Sequence, residues 1–228
     1  LVKNNKNSDQ PDLPGAARNA LTNALYFVSR VGVTSVSKTL FRLEVTGAEN
    51  FPKSGPCMIV ANHVSHFDPP VLSMITRRRI TYLAKKPLFE APLLGSYLRQ
   101  LDCISVDRDA TELSTIRDCI KTLKSGLPLV VFPEGSRSED GELQEGQRGV
   151  GMIWARANVP AVPVFIKGTE KILPPGEKIP SLHSISLRVG QPFLPFEDFK
   201  LASHYDDYYS YLAECVMRRL RALKAVAE

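Results

Sequence analysis

A histidine and an aspartate with four residues between them form the first pair in this chain able to share a proton. They lie in Ile59-Val-Ala-Asn-His-Val-Ser-His-Phe-Asp-Pro-Pro70, where an apolar run ends at Asn62-His63 and Asp68-Pro69 then opens a helix. Aspartate just before the first turn and proline within it are helix start signals. His63 therefore falls at the end of a strand and Asp68 at the neighbouring helix N-terminus, and the short turn between them can fold back. A carboxylate brought to one imidazole nitrogen fixes the tautomer and stabilises the imidazolium, which leaves the other nitrogen as a base near neutral pH. The same residues admit a structural reading, with Asp68 only a helix cap and His63 only a satisfied strand-end histidine. The two roles are compatible, because a carboxylate has about four acceptor sites. His66 is a second candidate base and ranks behind His63, which directly follows the strand.

A second element carries complementary chemistry. The apolar run Leu129-Val-Val-Phe132 leads straight into Pro133-Glu-Gly-Ser-Arg-Ser138. In a parallel sheet this turn emerges at the same edge as His63, and ligands of open parallel sheets bind at that edge. Gly135 permits close backbone approach, and Arg137 offers a planar fork of donors suited to phosphate. Ser136 does not sit in a G-x-S-x-G elbow, which argues against a serine hydrolase. The four cysteines, Cys57, Cys103, Cys119 and Cys215, have no C-x-x-C spacing. They indicate neither a zinc site nor a disulfide framework, and no metal or resident cofactor is expected.

The elements that must position these groups alternate along most of the chain. Apolar, β-branched runs at Pro56–Ala61, Ile80–Ala84, Cys103–Val106, Leu129–Phe132, Val162–Ile166 and Ile185–Val189 read as strands. Helices are expected near Pro70–Thr76, Leu93–Leu98, Glu112–Lys124, Gly149–Ala157 and Tyr208–Val226. Strands apolar on both faces predict an α/β fold, a mostly parallel sheet flanked by helices on both sides. Ahead of it, residues 1–15 are polar with two prolines and read as a linker or frayed terminus. Residues 16–45 read as an N-terminal amphipathic helical segment, broken at Gly32, and residues 46–228 as the main domain. From Ala16 to Leu43 the segment carries Arg18, Arg30, Lys38 and Arg42 and not one carboxylate. A one-signed basic face opposite an apolar one fits a helix pair lying on an anionic membrane surface, and equally a core-packed helix with a solvated outer face.

Composition narrows the partners. The 228 residues are 43% hydrophobic and 23% charged, as in soluble globular domains, which excludes a disordered chain. Mean hydropathy is −0.11, and no run of about 18 apolar residues is free of charge or proline. A chain starting at Leu1 without a signal-peptide pattern reads as a piece of a longer protein. The net charge of +5 suits an anionic partner. Nucleic acid ranks far behind phosphate and lipid, since no aromatic-basic RNA motif, zinc finger or basic zipper is present.

Asn62-His63-x4-Asp68 followed by Phe132-Pro-Glu-Gly-Ser-Arg-Ser138 resembles the glycerolipid acyltransferases, especially the bacterial and plastid 1-acylglycerol-3-phosphate acyltransferases. Two further blocks occur in the same order: Gly95 through Ile104-Ser-Val-Asp-Arg108, similar to a block ending in I-D-R, and Val162-Pro-Val164, like a V-P-V strand. The likeness covers roughly residues 46 to 192. Gly95 stands farther from Arg108 than is usual in the family, and no block follows Pro175.

The resemblance implies an O-acyltransferase. A lysophospholipid hydroxyl, with lysophosphatidate as the expected acceptor, would attack an acyl thioester carried by coenzyme A or acyl carrier protein. It implies His63 as general base with Asp68 orienting it, and Arg108 and Arg137 as phosphate-binding residues, with Lys85 and Arg148 lengthening the cationic cradle. Local ion pairing is the plainer role for the arginines: Arg108 stands between Asp107 and Asp109, and Arg137 precedes Glu139 and Asp140. Glu134, Gly135 and Ser136 carry over as acceptor-site residues. Pro163 carries over on the acyl-donor side, with a rigid edge-strand proline as its plainer role. The expected location is peripheral, on the cytoplasmic or plastid stromal face of a membrane, where Arg77, Arg78 and Arg79 add attraction to an anionic leaflet. Glycerol-3-phosphate or another lysophospholipid is the alternative acceptor. A non-catalytic lipid-binding module is the alternative of another class.

Overall fold

A computed structural model describes residues 27–28, 31–32, 35, 38–91, 95, 98–99, 103–106, 112–172, 181–195 and 207–227. The expected terminal linker at 1–15, Arg108 and most of the expected helix at 93–98 lie outside them.

In chain order the strands are β1 (Glu44–Thr46), β2 (Met58–Ala61), β3 (Leu83–Lys85), β4 (Ile104–Val106), β5 (Leu129–Val131), β6 (Ala161–Lys167) and β7 (Ser186–Val189). The helices are α1 (Asp68–Leu72), α2 (Lys86–Glu90), α3 (Glu112–Lys124), α4 (Arg148–Ala157) and α5 (Tyr208–Ala227). Five strands form a sheet in the order β1-β7-β6-β2-β5, and β3 and β4 pair separately. The β6, β2 and β5 strands run parallel, as do β3 and β4. Thr81 joins the two sheets: its N–H donates to the Pro128 carbonyl at 2.9 Å, and its carbonyl accepts from Val130 N–H at 2.9 Å.

Side chains alternate across a strand, so each central strand feeds two cores. Met58, Val60, Leu129 and Val131 face one core with Leu123 of α3, Ile153 and Trp154 of α4, and Leu212 and Val216 of α5. Ile59, Ala61, Val130, Val162 and Val164 face the other, with Val71 and Leu72 of α1 and with Phe41, Ile172 and Leu187. Burial of every residue in β2 and β5 follows from this double cover.

The architecture is the expected mixed α/β one, and several details differ. β7 is antiparallel to β6, and β1 pairs parallel with β7, so two strands run against the rest. β1 itself, three residues at the sheet edge with two exposed, lacks an apolar run long enough to read. The expected strand at 80–84 divides into the Thr81 bridge and β3. α1 begins at Asp68 and ends at Leu72, earlier than the expected 70–76. Gly32 is itself helical, and residues 33–34 lie outside the described ones.

Pro163 is an interior-strand proline, not an edge one. It pairs with Val60 across β2 on one side of β6 and lies opposite the end of β7 on the other. Between the Val164↔Val189 and Ala161↔Phe193 pairs the register slips by one residue, a bulge at which no proline N–H is required. Gly190 N–H donates to the Pro163 carbonyl at 2.8 Å. A side chain at Gly190 would bring its Cβ within 2.8 Å of the proline ring, so the bulge needs glycine.

Candidate active site

Parallel strands deliver their carboxyl ends to one edge, and the candidate residues gather there. β2 ends into Asn62 and His63, β5 into Phe132–Ser138, and β6 into Gly168 and Thr169. β3 ends at Lys85, which pairs with Val106 at the end of β4, two residues before Arg108 in sequence.

At the end of β2, His63 Nδ1 lies 2.8 Å from Asp68 Oδ2. The imidazole stacks on Phe132, with ring centroids 4.0 Å apart and planes 15° apart. Its side chain retains 19% exposure, while Asp68 is fully buried. A buried carboxylate oxygen needs a hydrogen-bond partner, and here both oxygens have one. Oδ2 also accepts from Val64 N–H and Ser65 N–H at 2.8 Å each. Oδ1 accepts from the Thr169 hydroxyl at 2.7 Å. Asp68 is the first helical residue rather than the cap; Phe67 holds the cap position and makes no side-chain cap bond. The carboxylate reaches back over the 63–67 turn, so its hydrogen bonds shape that turn and hold the ring.

Asn62 fixes the neighbouring strand end. Its Nδ2 donates to the Ile166 carbonyl at 2.9 Å and its Oδ1 accepts from Ile166 N–H at 2.7 Å, both buried. This two-point clamp ties the exit of β2 to β6. The sequence presents Asn62 only as part of a motif and gives no sign of Thr169. Their partners lie 104 and 101 residues away along the chain. The one available signal for Thr169 is its place two residues past the end of a buried strand.

The turn after β5 is fixed by backbone bonds and less by side chains. Gly135 N–H donates to the Phe132 carbonyl at 3.2 Å, Ser138 N–H to the His63 carbonyl at 2.8 Å, and Gln147 N–H to the Pro133 carbonyl at 2.7 Å. Gly135 takes φ of 75°, a left-handed conformation that favours glycine. Glu134 is only 2% exposed, and neither carboxylate oxygen has a hydrogen-bond partner. Burial pushes its carboxyl up to about 7, and the backbone N–H groups of His63 and Gln144 pull the other way. Ser136 and Arg137 are exposed. Arg137 pairs with no described residue: Asp140 instead accepts from the Ser138 hydroxyl at 2.8 Å and from Glu142 N–H at 2.9 Å.

Arg148 opens α4, but its guanidinium forks onto Asp207, Nε to Oδ2 at 2.7 Å and Nη2 to Oδ1 at 3.3 Å. It also lies over the Tyr209 ring at 5.0 Å. The thiols do not join the site. Burial raises Cys57 to about 11 and Cys103 and Cys119 to about 12, so each stays a protonated, weak nucleophile. Among the described residues no set of His, Cys, Asp or Glu gathers as metal ligands. What the arrangement can do is hold one imidazole through Nδ1 and leave Nε2 at the strand edge, beside a turn bearing a buried carboxyl and a guanidinium.

A histidine held on a buried aspartate at the carboxyl edge of a parallel sheet thus stands next to a P-E-G-S-R turn. The acyltransferase family model matches residues 42–167, more than half of the chain, and the chain belongs to that family. It is similar to the 1-acyl-sn-glycerol-3-phosphate acyltransferase of Bacillus subtilis, 32% identical over 66% of this chain and 73% of that one. It is 28% identical to the chloroplastic 1-acyl-sn-glycerol-3-phosphate acyltransferase BAT2 of Brassica napus, over 67% of this chain and 45% of that one. Among solved structures, the 1-acyl-sn-glycerophosphate acyltransferase PlsC of Thermotoga maritima superposes with a TM-score of 0.67 at 29% identity, covering 92% of this chain and 85% of that one. The chain spans less than half the length of several curated relatives that it matches.

Proposed function

We propose that the protein transfers an acyl group from a thioester of coenzyme A or acyl carrier protein to the hydroxyl of lysophosphatidate, forming phosphatidate. The observation that carries this reading is the 2.8 Å contact between His63 Nδ1 and a fully buried Asp68, with the rest of the imidazole at the open strand edge. Nε2 takes the proton of the incoming hydroxyl as its oxygen bonds to the thioester carbonyl carbon. The carbon–sulfur bond breaks, and the leaving thiolate takes the proton from the imidazolium. The thioester is already activated, so no serine or cysteine nucleophile is needed. Arg137, free of described partners, grips the acceptor phosphate together with Arg108. Lys85 is the next cation along this edge, and Arg148 joins only by giving up Asp207. Glu134, Gly135 and Ser136 line the acceptor side and Pro163 the donor side.

The names of the relatives favour lysophosphatidate over glycerol-3-phosphate as acceptor. The test is a free-thiol assay pairing acyl-coenzyme A or acyl-carrier thioester with lysophosphatidate, glycerol-3-phosphate and other lysophospholipids, the product being identified by mass. Phosphatidate is the expected product. Binding of lysolipid to liposome-bound protein without thiol release would leave the lipid-binding module as the better reading.

The protein works at the cytoplasmic or stromal face of a membrane, bound to its surface. No helix among the described residues is long and apolar enough to cross a bilayer. Phe27, Val28 and Val31 are helical and 60%, 66% and 46% exposed, an apolar edge suited to the headgroup boundary. Flotation with anionic liposomes is expected, weakening with salt and on deletion of residues 16–43. Flotation indifferent to that deletion would refute the attachment.

A further inference from the structure

The Asp68 carboxylate has two oxygens with unequal support. Oδ2 accepts three donors, His63 Nδ1 and two backbone N–H groups, while Oδ1 among the described residues accepts only the Thr169 hydroxyl. Both Asp68 and Thr169 are fully buried, so neither oxygen can turn to solvent for a substitute. We infer that Thr169 is a positioning residue of the reaction: its hydroxyl locks the carboxylate in the orientation that presents Oδ2 to His63 Nδ1. The inference rests on the reading of His63 as general base.

The lock is built from the end of β6. Gly168 takes φ of 98°, and a side chain there would place Cβ 2.1 Å from the Ser184 carbonyl oxygen, so the backbone before Thr169 has one place to go. Gly168 N–H donates to the Glu170 carboxylate at 2.8 Å, which tightens the same turn. Upstream, the Asn62 clamp on Ile166 fixes how far β6 extends beyond β2. The reach from β6 to α1 is thereby set before any ligand arrives. A carboxylate held on one oxygen alone can rock about its Cβ–Cγ bond, and a base held by a rocking partner loses its alignment.

The test uses Thr169→Val, which exchanges the hydroxyl for a methyl group of similar size, and Thr169→Ser, which restores it. In acyl transfer, Thr169→Val is expected to lower kcat by about 10–100-fold, the usual range for losing a partner that orients a functional histidine, with the acceptor KM little changed. Thr169→Ser recovers most of the rate. A second readout needs no turnover: nitrogen-15 NMR of histidine-labelled protein, with the His63 signal assigned from a His63→Gln sample. Wild type and Thr169→Ser are expected to share a downfield, exchange-protected Nδ1–H resonance that broadens or vanishes in Thr169→Val. If the valine variant does not fold, Thr169→Cys, a weaker donor of similar size, gives the same change at smaller amplitude.

An unchanged resonance together with unchanged kcat in the substituted protein would overturn the inference and leave His63 as base untouched. A protein without thiol release whose resonance still responds to Thr169→Val would instead retire the catalytic reading while keeping the lock.

Discussion

The corner around His63 and the turn around Glu134 lie at the same sheet edge and are built in opposite ways. Around His63 the buried polar atoms are spoken for: Asp68 holds four donors and Asn62 makes both of its bonds to Ile166. Around Glu134 a buried carboxyl has no partner for either oxygen, and the neighbouring Arg137 is exposed and unpaired among the described residues. A satisfied network is rigid, whereas an unsatisfied buried group is held at a cost that a ligand can relieve. In the proposed reaction, the groups that would handle the proton are thus already satisfied, and those that would recognise the acceptor are left open.

Three experiments would break or sharpen that contrast. The largest effect is expected from His63→Ala, which should lower kcat by about 10²–10⁴-fold while the thermal transition stays cooperative. Wild-type-like turnover in that variant would end the assignment of the base.

Glu134→Gln probes the open side. The folded carboxyl sits near 7 against an ordinary 4.5, so between those values the native state keeps a proton that the unfolded chain has lost. Stability therefore falls as pH rises through that window, and the loss is complete above about 7. Glutamine has no charge to bury. Denaturant unfolding should find the variant gaining on wild type between pH 4.5 and 8 by something on the order of 1–3 kcal/mol. Parallel pH profiles would mean that the turn supplies Glu134 with partners after all.

The smallest effect is expected from Arg137→Ala, a rise in acceptor KM of about tenfold with modest change in kcat, as suits one lost charge-assisted contact. An unchanged KM and kcat would remove Arg137 from the phosphate site.

What the sequence makes legible follows the range of the interactions. His63 and Asp68 are readable because the strand end, the turn and the helix start lie within ten residues, and local chemistry brings them together. The order strand, turn, strand likewise places the 133–138 turn at the same edge. Asp68 as a cap is wrong by one position, a difference set by how the 63–67 turn closes. Thr169 and the clamping role of Asn62 are silent in sequence because their partners come from the far side of a crossover. The reversed direction of β7 is silent too, since apolar alternation has no polarity. Pro163 reads as an edge residue because proline lacks a donor, and only the bulge opposite Gly190 makes an interior place for it.

The flat contact between His63 and Phe132 closes one π-face of the imidazole. The Nε2 lone pair lies in the ring plane, so an alcohol in the proposed reaction would arrive along that plane, past a ring whose one face Phe132 already occupies. Phe132 also begins the turn that bears Arg137, so in the proposed reaction one stretch of backbone would carry both the wall behind the base and the anchor for the acceptor's anion.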